Sequence, residues 1–433
     1  MKPTFAAHLF LALLCAVGLS AQVQHVPIQT TSKPADAEVQ MVLKKRFQHY
    51  NETPDNPNDV FDRTVHSPKS VNILDAKNKF YVHSLEGRVT TVYSLDSFML
   101  KKEILHAFDQ TNQNLFQDTY YFDYTFKEGN KTPNIFEGKP VESCFSHNGK
   151  YLWVTYYRRT YDPNASEPSA LCIIDTDKDE IVRVMPTAPL PKMIVCSPDN
   201  KLIAVTHWGD NTVGLIDISG GDPATFKPIT NLVIDYKLKM DFAAGKAIDR
   251  DAECGHCLRG TVFTPDGKYV LVGRMGDSGV AVVDVENRSY AGTVYGMKDN
   301  LRHLIIHGDY LYLSINKYGY VQRTEWKNLV RHFMEKGTAV PYTDWTNVYV
   351  GTGARTIVLR KDGKYLFAAV NNESKIVAIR TADMKVVAEC KADSYPVGMD
   401  ISDDGRWVMV TAQGKSNGGG NSVMIYEVTY KTG

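Results

Sequence analysis

An excess of charge is the first thing this sequence lacks. Its 433 residues carry 49 Lys+Arg against 49 Asp+Glu, a formal net charge of zero. An extended nucleic-acid surface needs a clear basic excess, so no nucleic-acid partner is expected, while a local basic pocket stays open. Cysteine is scarce as well, with 7 in the chain. Apart from Cys15 these are Cys144, Cys172, Cys196, Cys254, Cys257 and Cys390, far below disulfide-scaffold density, so an apolar core must hold the fold. After residue 21 no apolar run is long enough to span a membrane. A nucleophile elbow, a phosphate-binding loop and a zinc-protease motif are all missing, and no cofactor is expected.

What is present begins with a leader. In residues 1–21, Lys2 precedes the apolar run from Phe5 to Val17, and the small residues Ser20-Ala21 follow. This is the pattern of a cleaved secretory signal peptide, with an apolar stretch too short for a comfortable span. Leu14, rather than a small residue, precedes Cys15, which argues against a lipoprotein. The expectation is a secreted or periplasmic chain starting near Gln22, with an N-terminal segment over 22–68 and one domain over 69–433. The 31 Gly, 24 Tyr and abundant Val suit strands and turns.

A phrase recurs: apolar strand, short polar turn, apolar strand, loop, then a third strand ending in Asp. Clear copies are Phe-Thr-Pro-Asp266-Gly-Lys-Tyr269, Ser-Pro-Asp199-Asn-Lys-Leu202, Lys-Asp362-Gly-Lys-Tyr365, Asp-Asp404-Gly-Arg-Trp407 and His-Asn148-Gly-Lys-Tyr151. Weaker copies end at Phe80 and Tyr310, which makes seven. Asn-Gly and Asp-Gly between strand-forming runs are strong hairpin signals. The markers are spaced 71, 51, 67, 41, 55 and 42 residues apart. The two shortest intervals match a four-stranded propeller blade, and the longer ones imply insertions. The predicted fold is all-β, a single seven-bladed β-propeller with loop insertions on one face. Only five residues follow Val428, too few for a last outer strand, so a closing strand is expected from Val23 to Phe47.

The segments Leu202-Ile-Ala-Val-Thr-His-Trp-Gly-Asp-Asn-Thr-Val-Gly-Leu-Ile-Asp217 and Val270-Leu-Val-Gly-Arg-Met-Gly-Asp-Ser-Gly-Val-Ala-Val-Val-Asp284 resemble the YVTN-type propeller repeat. That group includes secreted seven-bladed propellers similar to YncE and is related in pattern to the cytochrome d1 propeller. The resemblance covers roughly residues 69–428 and implies the fold. It says little about function, because propellers host binding and catalysis alike.

Insertions are expected at 106–140, 158–169, 237–257 and 327–352, all on the face that receives the longer connections, where function is usually placed. Thr119–Phe126 and Thr155–Tyr161 are rich in aromatic residues, and Tyr157 with Arg158 would suit a wall for a sugar or flat ligand. In Asp251-Ala-Glu-Cys254-Gly-His-Cys257, Leu258 stands where a haem motif needs His. No βαβ context supports a thioredoxin-like motif, and no second ligand pair supports zinc. A local disulfide between Cys254 and Cys257 is expected.

Counting seven back from each turn residue puts Lys192, Arg259, Arg302 and Arg355 at one repeat position, opening the innermost strand. These cations should ring the channel mouth, balanced either by an anionic ligand or by internal carboxylates such as Glu142. His207, Arg274, Trp208 and His303 are expected to reach the same face. The favoured reading is a binding protein for an anionic or metal-complexed small molecule or an anionic glycan, with an outer-membrane uptake receptor as partner by analogy. The alternatives are a protein-interaction platform, or a propeller enzyme of polysaccharide-lyase or lactonase type. Such an enzyme would use His207 or His303 as base and Tyr156 or Tyr157 as acid.

Overall fold

The computed structural model describes residues 25–117, 126–127, 130–239, 248–414 and 420–431. The leader and its cleavage region lie outside the described residues, as does all of Thr119–Phe126 except Phe126. The rest forms seven sheets of four or five strands around one axis, a seven-bladed β-propeller. From blade one onward the innermost strands are Pro68–Leu74, Phe136–Ser146, Pro191–Cys196, Leu258–Phe263, Leu301–His307, Ala354–Leu359 and Pro396–Ile401.

The recurring turn has a side-chain cause. Thr264 Oγ1 donates to Asp266 Oδ1 at 2.6 Å, and the Asp266 carboxylate accepts from the Lys268 amide at 3.1 Å. Ser197 with Asp199 and Ser402 with Asp404 repeat the hydroxyl–carboxylate bond at 2.6 Å. Gly267 follows with a φ of +72°, a conformation that favours glycine. A hydroxyl, a carboxylate and a residue at positive φ therefore set these three hairpins, with Asn200 at a φ of +57° taking the glycine's place in blade three. Strands such as Val280–Asp284 are apolar on both faces because each blade packs between two others.

The last blade is completed from the far end of the chain. Val39–Gln48 pairs antiparallel with Ser422–Tyr430, running from Val39↔Tyr430 to Gln48↔Ser422, and Asp59–Phe61 lies parallel outside it. Val39, Met41 and Leu43 are fully buried in that seam. Arg46 anchors it near the mouth, pairing with Asp393 of blade seven at 3.1 Å and with Asp59.

The connections that enter the inner strands open on one face, called the mouth here. The connection 160–168 and the described parts of 106–135 and 234–257 lie there. Residues 327–352 differ from their expected place. They leave the third strand of blade five, Tyr320–Glu325, at the face opposite the mouth and begin the helix Trp326–Lys336. The apolar stripe Trp326, Leu329, Val330 and Phe333 seats that helix on the outer rim between blades four and five. The stripe leaves no reason for the segment to cover the mouth.

Candidate functional site

All seven inner strands carry a β-bulge at the same place. The pairing with the second strand skips from Pro68 to Ser70, Pro191 to Met193, Leu258 to Thr261, Leu301 to His303, Ala354 to Ile357 and Pro396 to Gly398, and blade two is irregular around Pro140–Ser143. The residues skipped in common are Lys69, Val141, Lys192, Arg259, Arg302, Arg355 and Val397. A bulge breaks the alternation of a strand and re-aims one side chain. Here it aims five cations, not four, toward the axis.

Hydrogen bonds between blades fix these positions. Thr206 Oγ1 donates to the Arg259 carbonyl at 3.4 Å, Thr411 Oγ1 to the Lys69 carbonyl at 3.3 Å, and Ser314 Oγ to the Arg355 carbonyl. Ser70 Oγ and Thr356 Oγ1 reach the carbonyls of Val141 and Val397, each at 2.6 Å.

Among the described residues, two carboxylates face the five cations. Arg259 Nη2 donates to Glu142 Oε1 at 2.9 Å, and Lys192 Nζ donates to Asp251 Oδ1 at 3.3 Å. Five minus two leaves a formal excess of three. Among the described residues no carboxylate lies within salt-bridge distance of Lys69, Arg302 or Arg355. Lys69 Nζ donates to the amide oxygen of Gln413 at 3.1 Å, and Arg355 stands over the Tyr395 ring at 5.8 Å. Arg259 and Arg302 each keep a buried Nε without a partner. Burial and the neighbouring cations, Arg355 first, push Arg302 well below its usual range. Burial with Arg259 beside it brings Arg355 down to about 10.

Lys192 occupies an aromatic cage. Its Nζ lies 4.1 Å from the Tyr157 ring centroid and 5.1 Å from that of Trp208. Burial lowers it to about 7 although Asp251 works against the shift, and Arg259 and Arg302 add to the lowering. Burial opposes ionisation of Asp251, yet the Lys192 ammonium and the Tyr157 hydroxyl hold its carboxyl below the usual range. Trp208 Nε1 donates to the Asp251 carbonyl at 3.3 Å. The loop that carries Asp251 is closed by the Cys254–Cys257 disulfide, so the expected bridge is present and stands next to the mouth.

Below the ring runs a cavity of about 450 Å³ along the axis, lined near the top by Arg259, Arg302, Arg355, Glu142 and His303. His303 Nδ1 accepts from the Ile357 amide at 3.3 Å, which puts the proton on Nε2. Burial, with Arg259 next to it, lowers its pKa to about 4, so the ring is neutral at physiological pH. Ile305 and Val358 line the middle, and Asp400 stands deeper. Burial pushes Asp400 up to about 7, despite bonds from the Ile73 and Ile401 amides at 2.7 and 2.9 Å.

The structure thus brings together Lys192, Arg259, Arg302, Arg355, His303, Tyr157 and Trp208. It does not bring His207 or Arg274 to the ring. His207 is buried within blade three, where Nδ1 bonds Thr212 Oγ1 at 2.9 Å and burial lowers its pKa to about 3. Arg274 is bonded by Asp235 at 2.6 Å and by Asp277, with His256 alongside, and it ties the disulfide loop to the neighbouring turn. Both end the second strand, which pairs normally on the far side of the bulge, so neither is redirected. Arg158 lies over the Tyr157 ring at 5.4 Å and donates to the Pro163 carbonyl, which tethers the 160–168 loop. Arg159 is buried against Phe126 and Phe136 and pins the preceding insertion. Lys69 was missed because the turn after its strand is one residue longer, Asp75–Lys77 forming a 3₁₀ turn. The Pro-Lys pair shared by Pro68-Lys69 and Pro191-Lys192 is the signal that would have found it.

The arrangement can hold an anion over a partly apolar shaft. Among the described residues no group of His, Cys, Asp and Glu is placed to hold a metal ion. No helix among them is long and apolar enough to cross a membrane.

Hydrazine synthase subunit beta from Kuenenia stuttgartiensis is 25% identical over 256 residues, 49% of this chain and 60% of that protein, so the chain matches less than two thirds of its relative's length. Among solved structures, Kuenenia stuttgartiensis hydrazine synthase superposes with a TM-score of 0.56 at 14% identity, over 84% of this chain and 96% of that one. The Myceliophteria thermophila Cps50 (Swd1) β-propeller domain gives a TM-score of 0.56 at 10% identity, over 84% and 98%. Identities that low speak to the fold alone. The family model described as lactonase, 7-bladed beta-propeller, matches residues 180–433, more than half of the sequence. The chain belongs to the seven-bladed β-propeller lactonase family.

Proposed function

We propose that this chain is an extracytoplasmic propeller of the YVTN-type, YncE-like group that captures a small anionic ligand at the cation-ringed mouth. The ligand class is a carboxylated sugar or glycan end, or an anionic chelate, and an outer-membrane uptake receptor is the partner by analogy. One observation carries the reading: Lys69, Arg302 and Arg355 are held at the axis with no carboxylate in salt-bridge distance among the described residues. Like charges so placed are costly without an anion between them. Titration calorimetry with galacturonate, citrate and inorganic phosphate tests it. Arg302→Gln and Arg355→Gln should each weaken binding by ~10–100-fold, the worth of a charge-assisted hydrogen bond. If all three anions fail to bind, the ring is structural and the interaction-platform reading takes its place.

A second reading is favoured by the family match and by His303. The Ile357 amide engages the Nδ1 lone pair of His303, so this histidine is not the base; its Nε2–H is instead available to donate to the carbonyl oxygen of a lactone whose acidic group is held by the cation ring. His303→Ala should then abolish hydrolysis of an acidic sugar lactone while binding of the ring-opened acid persists. Hydrolysis that survives this change excludes His303 as the donor to the lactone carbonyl.

A further inference from the structure

The ring contains two amines, and their surroundings differ. Lys192 has Asp251 at 3.3 Å and two aromatic rings around its Nζ, which favour the ammonium. Lys69 has an amide oxygen, Gln413 Oε1, at 3.1 Å. That amide is itself oriented, since Gln413 Nε2 donates to Ser67 Oγ at 2.9 Å. A neutral amide oxygen stabilises an ammonium far less than a carboxylate would, and when it accepts from the neutral amine it leaves the nitrogen lone pair free. The Lys69 backbone is fixed by the bond from Thr411, and its half-buried side chain keeps some accessible surface. Burial first, then Arg355, Arg259, Lys192 and Arg302 in that order, all push Lys69 well below its usual range. An ordinary lysine leaves roughly one amine in 10³ unprotonated at neutral pH. Cationic neighbours and burial are what make a lysine reactive toward carbonyls.

We propose that Lys69 is a covalent capture site for small oxo acids, with the ligand carboxylate on Arg302 and Arg355 and its carbonyl carbon bonded to Lys69 Nζ as an imine. This rests on the anion-binding reading above. Guanidinium groups suit a planar carboxylate, and a second anchor a few atoms away selects acids that also carry a ketone or aldehyde. The lone pair of the neutral amine adds to the carbonyl carbon, forming the C–N bond while the C=O π pair moves to oxygen. Proton transfer from nitrogen to that oxygen gives a carbinolamine. Loss of its hydroxyl as water then leaves the imine, so amine and oxo acid become imine and water, with no oxidant or reductant needed.

The test uses the full chain and 4-oxobutyrate with cyanoborohydride at neutral pH, followed by peptide mass mapping. Trapping converts the imine to a secondary amine, a gain of the oxo acid's mass less one oxygen atom. Labelling at Lys69 should exceed that at any other lysine by ~10-fold or more, in keeping with an activated amine. Inorganic phosphate should suppress it, and Arg355→Gln should reduce it several-fold. A Lys69→Arg chain should lose the mapped adduct, and because arginine keeps the positive charge its loss of phosphate affinity by calorimetry should be smaller than that of Arg355→Gln. Uniform labelling of surface lysines, or preferential labelling of Lys192, while phosphate still binds at the mouth, overturns the imine and leaves the anion site standing. If phosphate binding and Lys69 labelling both fail, both readings fall.

Discussion

Replacing Glu142 by Gln removes the carboxylate that sits inside the cation ring while keeping its shape. In the native chain Arg259 holds Glu142 at 2.9 Å, with the two side chains 6% and 19% exposed. Removing one partner of a buried ion pair costs ~3–5 kcal/mol, because the remaining charge is left uncompensated. The residual exposure of Glu142 puts the cost nearer ~2–3 kcal/mol. With ~2.1 cal/mol/K of unfolding entropy per residue, 1 kcal/mol is worth ~1 °C in a domain of this size, so the melting temperature should fall by ~2–4 °C. The same change lifts the formal excess of the ring from three to four. At an effective dielectric constant of about 20, a carboxylate ~7 Å from a bound anion opposes it by ~2 kcal/mol, so anion affinity should rise by ~10–50-fold. Scanning fluorimetry across a phosphate titration reads both effects. Without phosphate the variant should melt below the parent chain, and the gap should close as phosphate saturates the site. A gap that stays constant at every phosphate concentration refutes the reasoning, because Glu142 would then organise the pocket and not compete with the ligand.

Lys192 has a folded pKa of about 7 against an ordinary 10.5. The unfolded chain therefore binds more protons between those values, and the Lys192 contribution to stability should rise as pH climbs from 7 toward 10.5. Anion affinity should move the other way, falling through pH 7 as the ammonium is lost, and Lys192→Gln should flatten both profiles measured by denaturation and calorimetry. Thiol titration of an unfolded, unreduced chain that lacks residues 1–21 should register Cys144, Cys172, Cys196 and Cys390, with Cys254 and Cys257 reacting only after reductant is added. Finally, Trp208→Leu removes one ring from the Lys192 cage and should weaken anion binding by several-fold through a further drop in the Lys192 pKa, consistent with ~0.5–2 kcal/mol for a cation–π contact. Unchanged affinity near pH 7 would show that Lys192 is not a ligand-binding charge.

The propeller was legible because its hairpins are built from a short code. The hydroxyl–Asp pair and the glycine of Thr264-Pro-Asp266-Gly267 make their own hydrogen bonds, so the motif survives in sequence wherever the turn does. The cation ring was partly legible for the same reason, since a fixed distance from that turn located Lys192, Arg259, Arg302 and Arg355. Two things hid the rest. The extra residue in the Asp75–Lys77 turn put Lys69 out of step with the count. The bulge is a backbone feature with no consensus residue, so strict alternation gave no sign that the inner strand is re-aimed and the second strand is not. That is why His207 and Arg274 looked equivalent to the ring residues and are instead enclosed by Thr212 and by Asp235 with Asp277. Tyr157 and Trp208 were expected at the mouth, but their enclosure of Lys192 together with Asp251 was not legible, because the three come from a strand, a turn and a loop far apart in sequence.

The ring also raises the question of how five converging cations persist without collapse of the inner strands. Their repulsion acts on side chains, whereas their backbones are held by bonds between blades that point away from the axis. Thr206, Ser314 and Thr411 each reach the carbonyl of a ring residue in the next blade. Splaying the ring outward would break those bonds in several blades at once, and closure of the last blade by Val39–Gln48 resists the same motion. The cost of the like charges is therefore retained in the native state as lowered pKa values and unpartnered guanidinium nitrogens, and is not relieved by movement. An anion that enters releases that cost without rearranging the scaffold, because the donors already face the site. Affinity gained this way comes from preorganisation. It predicts a ligand that raises the melting temperature while leaving the positions of the inner strands unchanged.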